Sequence, residues 1–198
     1  MNTYSPTIIA NFIWPARNNI LLRTIIFAIC GSLLLTLSAK IKIPLEPVAV
    51  TMQVFVVLAL SLAFGARLAT ASVLLYLAQG AAGLPVFTGT PEKGIGLAYM
   101  MQGSAGYLVG FLAAAAIVGW LSERGCSHSV FASAIAAMIG LSAIYIPGIV
   151  WLGMLLGWDK PILAMGFWPF IGADLIKAAL AALLIPTFWH ILNRGGRH

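Results

Sequence analysis

Charge is what this sequence has least of. Of its 198 residues only 8% are Asp, Glu, Lys or Arg, against 61% hydrophobic residues. A soluble domain carries about 25% charged and about 45–50% apolar residues. So little charge cannot cover a water-facing surface, which excludes a soluble globule. The same apolar excess excludes a disordered chain. Two cysteines are too few for a disulfide framework, and 20 glycines fall far short of a collagen repeat. Cys30 lies in an apolar run and Cys126 in a short polar loop, so neither a disulfide nor a metal site is expected. Walker and H-E-x-x-H motifs are missing, and no cofactor is expected. Residues Met1 to Arg17 lack the basic start, apolar core and cleavage site of a signal peptide.

What is present is a series of long apolar runs. A spanning helix needs about 20 mainly apolar residues, and charges, Gly and Pro delimit six candidates. They cover about 20–39, 50–64, 67–82, 104–121, 129–156 and 169–192. The second is too short to span alone, so the Pro44/Pro47 segment before it is expected at membrane depth, covered by protein. Pro147 is expected to kink the fifth run or break it locally. The Gly65–Ala66 and Glu123–His128 connections are tight, whereas Gly83 to Gly103 form a long Gly/Pro loop of the kind that serves as a lid. The expected architecture is all-α: one transmembrane domain, 1–198, with a six-helix bundle over 20–192 and outer loops at membrane depth.

The net charge of +6 rests on basic residues spread singly between apolar runs. That pattern argues for membrane orientation rather than nucleic acid. Arg17, Arg23, Arg67, Arg124, Arg194 and Arg197 fall on one side; Lys40, Lys42, Lys93 and Lys160 fall on the other. The bias places both termini, including segment 1–19, in the cytoplasm.

Two charges escape this explanation. Asp174 and Lys177 lie inside the sixth run, flanked by apolar residues. Ionisable side chains within a span are expensive and face the bundle interior or a wet cavity. Their i, i+3 spacing puts them on one helix face. Lys177 could hold an anionic group of a ligand and Asp174 could accept hydrogen bonds from ligand N–H groups. The alternative is a self-neutralising pair that tethers helices. Phe87, Tyr99, Gln102, Tyr107, Tyr145 and Trp151 cluster towards the same end and could line a pocket or form an interfacial aromatic belt. Gln53 and Gln79 each need a partner within the bundle or in a ligand. Small-residue spacings at Ala28/Ser32, Gly106/Gly110, Gly153/Gly157 and Ala178/Ala182 permit close helix approach. Ser104 in a Gly-Ser-Ala-Gly string resembles a membrane protease motif faintly, but the nearest base, His190, lies at the opposite end of the sixth run.

Longer strings carry a family resemblance. IPLEPVAVTMQ at 43–53 resembles a Pro-Val-Pro-Val-Thr-x-Gln run, with Ala49 in place of the second Pro. YLAQGAAGLPVFTGT at 76–90, GSAGYLVGF at 103–111, YIPGIVWL at 145–152 and FIGADLIKAALA at 170–181 continue it, with Ser104, Ala105 and Ala173 as departures. Over nearly its whole length the chain resembles the BioY family, the biotin-specific S components of energy-coupling factor transporters.

The resemblance implies a six-helix protein of the bacterial plasma membrane. It implies biotin capture near the outer face and association with a transmembrane coupling subunit and an ATPase pair. Asp174 and Lys177 would be the polar anchors, and Pro85 to Phe87 with Tyr107, Tyr145 and Trp151 would shape the pocket. The 83–103 loop would be its lid, and Ala28 and Ser32 would touch the coupling subunit. The implied partners are thus biotin, the coupling module and the lipid bilayer, with a homo-oligomer left open. The rival readings are an S component for another vitamin and a membrane-embedded enzyme.

Overall fold

The computed structural model of the chain describes residues 9–14, 19–92 and 94–195. Arg17, Lys93 and Arg197, used above for orientation, lie outside those residues, as does most of the 1–19 segment. The helices are α1 (Ile9–Ile13), α2 (Ile20–Lys40), α3 (Gln53–Ala81), α4 (Gly96–Met100), α5 (Ala105–Glu123), α6 (Val130–Leu156), α7 (Ile162–Gly166) and α8 (Trp168–Gly195). A 3-10 turn, Cys126–His128, joins α5 to α6. The Pro-punctuated segment after α2 folds as a two-residue antiparallel ladder, β1 (Lys42–Ile43) against β2 (Val50–Thr51), with Lys42 opposite Thr51.

Five helices, α2, α3, α5, α6 and α8, are long and apolar enough to cross a membrane. The sixth expected span is inside α3. Gly65 has φ 78° and ψ 176°, outside the helical region and suited to a residue without Cβ. In a straight helix Gln53 and Tyr76 would lie about 35 Å apart at 1.5 Å per residue. Instead the Gln53 Nε2 amide donates to the Tyr76 hydroxyl at 2.8 Å. The chain therefore folds back at Gly65, and α3 consists of two antiparallel arms, 53–64 and 66–81. The first arm is only about 18 Å long, so the β1–β2 segment fills the remainder of its layer.

Breaking a helix frees backbone groups that hydrocarbon cannot satisfy. The C-terminal end of α5 supplies what the Gly65 break needs. Ser122 Oγ donates to the Leu62 carbonyl at 2.5 Å, and Glu123 Oε1 accepts from the Ala66 N–H at 2.9 Å. Glu123 also complements the positive end of the second arm. Gly119 permits this contact, because a Cβ there would sit 2.4 Å from the Ala66 nitrogen.

The Gly106/Gly110 spacing is used in the same way against α6: a Cβ at Gly106 would lie 2.2 Å from the Pro147 carbonyl. Pro147 does not break α6, which runs continuously from Val130 to Leu156. Tight packing by a neighbour is the condition under which a spanning helix tolerates proline.

On α2, Phe27, Ala28, Gly31, Ser32 and Leu35 are buried, with Gly31 set against Ser72 and Leu60 of the two arms of α3. The opposite stripe, Leu21, Ile25, Ile29, Leu33 and Leu37, is 44% to 73% exposed, as suits a lipid-facing surface. At the Gly65 end, α1 adds a feature absent from the sequence reading. Ile9 packs with Ala63 and Trp189, Ala10 packs with Phe27 and Leu68, and Asn11 Oδ1 accepts from Arg23 Nη2 at 2.7 Å.

The fold therefore predicts that Gly119→Ala is destabilising by about 1–3 kcal/mol, as overpacking against backbone usually is. Gly172→Ala, where a Cβ meets nothing within 4 Å, is expected to be near neutral. Thermal unfolding of the two purified variants in detergent checks this. Equal melting temperatures would contradict the close α5–α3 contact.

Candidate ligand cavity

At the end of the bundle opposite Gly65, the segments 41–52 and 82–104 cap a cavity of about 140 Å³. This exceeds the share of a single structural water, roughly 30 Å³. Its inner wall comes from helices. The first arm of α3 places Gln53 and Val54, the second arm Tyr76, α5 Tyr107, Leu108 and Phe111, α6 Ile144 and Tyr145, and α8 Phe170 and Asp174. Asp174 lies about 9 Å into α8 from Trp168.

Asp174 is 4% exposed and Lys177 6%, and the pair is completely engaged. Lys177 Nζ donates to Asp174 Oδ1 at 2.7 Å and to the Thr51 carbonyl at 2.6 Å. Tyr145 Oη donates to Asp174 Oδ2 at 2.7 Å. Each carboxylate oxygen thus has a partner, and the ammonium neutralises the charge within the site. One network ties α8 to α6 and to β2. Asp174 reaches the cavity and Lys177 sits behind it, outside the lining.

The lid wall is aromatic. Phe87 stacks on Tyr99 with centroids 5.2 Å apart and meets Tyr76 edge-on at 5.3 Å. The Tyr99 hydroxyl accepts from the Gly89 N–H at 3.1 Å. Gln53 Oε1 is 3.4 Å from the Thr88 hydroxyl that donates to it, so a single amide spans helix and lid. Two lysines hold this loop by its carbonyls. Lys40 Nζ donates to Phe87 O at 2.8 Å and Thr90 O at 3.2 Å, and Lys42 Nζ donates to Thr88 O at 2.8 Å. Opposite, the Tyr107 hydroxyl donates to the Gly166 carbonyl at 2.7 Å, and its ring meets Tyr145 at 6.3 Å.

Of the residues singled out from sequence, Asp174, Tyr145, Phe87, Tyr107, Gln102 and Gln53 come together around the cavity. Lys177, Trp151, Pro85 and Gln79 are not in its lining. Trp151 instead donates its indole N–H to the Gln102 carbonyl at 2.9 Å, bracing the start of α5. Pro85 is exposed on the outer side of the lid. Gln79 is turned towards α2, where its Oε1 accepts from the Ser32 hydroxyl. Ala28 and Ser32, expected to touch a coupling subunit, lie on the same face of α2 as that contact. Both are buried, at 7% and 0% exposure, because this small-residue face packs on α3 of the same chain. Tyr76, Phe170, Thr51 and Lys42 were missed. Tyr76 was within reach of sequence reasoning, since folding the chain at Gly65 sets positions 53 and 76 opposite each other. Ser104 lies in the cavity wall, but His190 is 16 residues beyond Asp174, about 24 Å along α8, so the two form no catalytic pair.

The BioY family profile matches residues 10–194 of the chain. The chain belongs to the BioY family. Among similar proteins, the biotin transporter BioY of Thermotoga maritima is 37% identical over 163 residues, covering 82% of this chain and 94% of that protein. A probable biotin transporter BioY of Lysinibacillus sphaericus is 35% identical over 168 residues, covering 81% and 83%. The fold matches the crystal structure of the S-component for biotin from an ECF-type ABC transporter. The TM-score is 0.73 at 24% identity, over 87% of this chain and 94% of that one. The six-helix S-component bundle expected from the sequence is thus the fold of this BioY-family chain.

In this BioY-family chain the Asp174–Lys177 pair should behave as a coupled unit. Lys177→Met alone leaves a buried carboxylate uncompensated and is expected to cost about 3–5 kcal/mol. Adding Asp174→Leu should recover much of that loss. Thermal unfolding of the single and double variants tests the coupling, and simple additivity of the two substitutions would contradict it.

Proposed function

We propose that this chain is the biotin-binding, substrate-specificity subunit of an energy-coupling factor vitamin transporter, not an enzyme. Biotin has three chemically distinct parts: a ureido group with two N–H donors, an apolar thiophane ring and an anionic carboxylate tail. The observation that carries the reading is Asp174, a carboxylate aimed from a spanning helix into an aromatic cavity, in a chain whose similar proteins are named as biotin transporters. An ionised carboxylate is the acceptor that ureido N–H groups require. Tyr107, Tyr145, Phe87 and Tyr99 offer the apolar ring faces. Gln53 and Gln102 supply amides at the wall.

The remaining residues singled out from sequence serve at one remove in this reading. Lys177 holds the Asp174 carboxylate in place. Trp151 braces the wall behind Gln102. Pro85 stiffens the lid, and Gln79 locks α2 to α3. The lid itself, held by Lys40 and Lys42, is the part that opens to admit the ligand.

The chain has no nucleotide-binding motif, so it cannot drive uphill transport with ATP by itself; in this reading a coupling subunit and an ATPase pair supply that energy. The excess of arginine at the Gly65 end supports a plasma-membrane orientation with that end and both termini in the cytoplasm and the cavity facing outward. The similar proteins named as biotin transporters favour this reading over an S component for a cationic vitamin such as thiamine.

Equilibrium titration of the purified protein tests the reading. Saturable biotin binding well below micromolar is expected, with no competition from thiamine or riboflavin. Absence of saturable binding below micromolar would overturn it. Uptake of labelled biotin by cells is expected to rise several-fold when a coupling module is co-expressed. Full uptake by the chain alone would contradict the need for partners.

A further inference from the structure

Among the described residues, three charged ones line the cavity: Lys42, Glu46 and Asp174. A ligand with one carboxylate needs a cation that still has donors to spare. Lys177 is not that cation, since it is buried and lies outside the lining, with two of its three donors on Asp174 and the Thr51 carbonyl. Lys40 also lies outside the lining, with two of its donors on the Phe87 and Thr90 carbonyls. Lys42 differs from both. It is exposed, it lines the cavity, and one bond, to the Thr88 carbonyl at 2.8 Å, is made by its Nζ. An ammonium has three donors, so two remain. Glu46, on the same outer segment, is engaged in an interaction of its own.

We propose that Lys42 is the specificity-determining residue that takes the ligand's carboxylate at the cavity mouth, while Asp174 takes N–H donors at the floor. This rests on the biotin reading above. The floor offers a carboxylate acceptor and the mouth an ammonium donor, and so they select one orientation of an elongated ligand with N–H groups at one end and a carboxylate at the other. The same ammonium holds the lid through Thr88, so a carboxylate bound to Lys42 is joined to the lid by a single shared donor group. Occupation of the mouth by the tail therefore fixes the loop that carries Phe87 over the ring.

The test is equilibrium titration of biotin and of neutral biotin amide with wild-type protein, Lys42→Gln and Lys42→Arg. Wild type is expected to prefer biotin. Lys42→Gln is expected to weaken biotin by about tenfold more than it weakens the amide, the scale of a lost charged hydrogen bond, any loosening of the lid through Thr88 being common to both ligands. Lys42→Arg should retain most of the preference. Equal loss of both ligands in Lys42→Gln would overturn the proposal, because Lys42 would then act only through the lid. A preference for biotin that survives Lys42→Gln intact would overturn it as well. Wild type that binds both ligands equally would sink the Lys42 assignment alone. Wild type that binds neither would instead sink the biotin reading.

Discussion

A carboxylate and an ammonium lie 2.7 Å apart inside a helix surrounded by apolar residues, each under a tenth exposed. In such a medium neither charge survives alone. The pair persists because every oxygen of Asp174 is met, by Lys177 and by Tyr145, and because Lys177 also reaches the Thr51 carbonyl across 126 residues of sequence. That requirement orders the site. It brings α6 and β2 up to α8, and it leaves Asp174 facing a cavity whose remaining wall is aromatic. The contacts that make Asp174 tolerable also fix where its carboxylate meets the cavity.

The same rule governs the backbone. Turning back at Gly65 leaves the Leu62 carbonyl and the Ala66 N–H without helical partners, and Ser122 and Glu123 supply both. The lid segment, regular only at α4, has three of its carbonyls met by Lys40 and Lys42. Two irregular stretches of backbone are thus each covered by named side chains. One is a turn braced by α5. The other is held at the cavity by two lysine side chains.

Much of this was legible in the sequence. Scarcity of charge isolated Asp174 and Lys177, and the apolar runs located six spans, with the Gly65–Ala66 connection marked as tight. Gln53 was rightly placed in the bundle as an amide needing a partner. Its equivalent Gln79 looked identical in sequence, yet it turns to Ser32 on α2. Composition and spacing do not reveal which way one side of a helix faces when both sides are apolar. Trp151, bonded to the Gln102 carbonyl, and Ser32, bonded to Gln79, make contacts of this kind that spacing does not show. The partner of Lys177 at Thr51 is a backbone carbonyl, which carries no residue-type signal at all. The short helix α1 was hidden because five residues at Ile9–Ile13 show no usable period. Membership of the BioY family follows from strings spread over most of the chain, and the family profile covers residues 10–194.

The proposal stands or falls on whether Asp174, already bonded to Lys177 and Tyr145, also receives the ligand's N–H groups. Infrared difference spectroscopy of the purified protein with and without biotin tests it most directly, with Asp174→Asn used to assign the band. The account predicts a carboxylate stretch that is absent from Asp174→Asn and shifts when biotin is added to wild type. A carboxylate band that biotin leaves unmoved, at concentrations where binding is saturated, would contradict it.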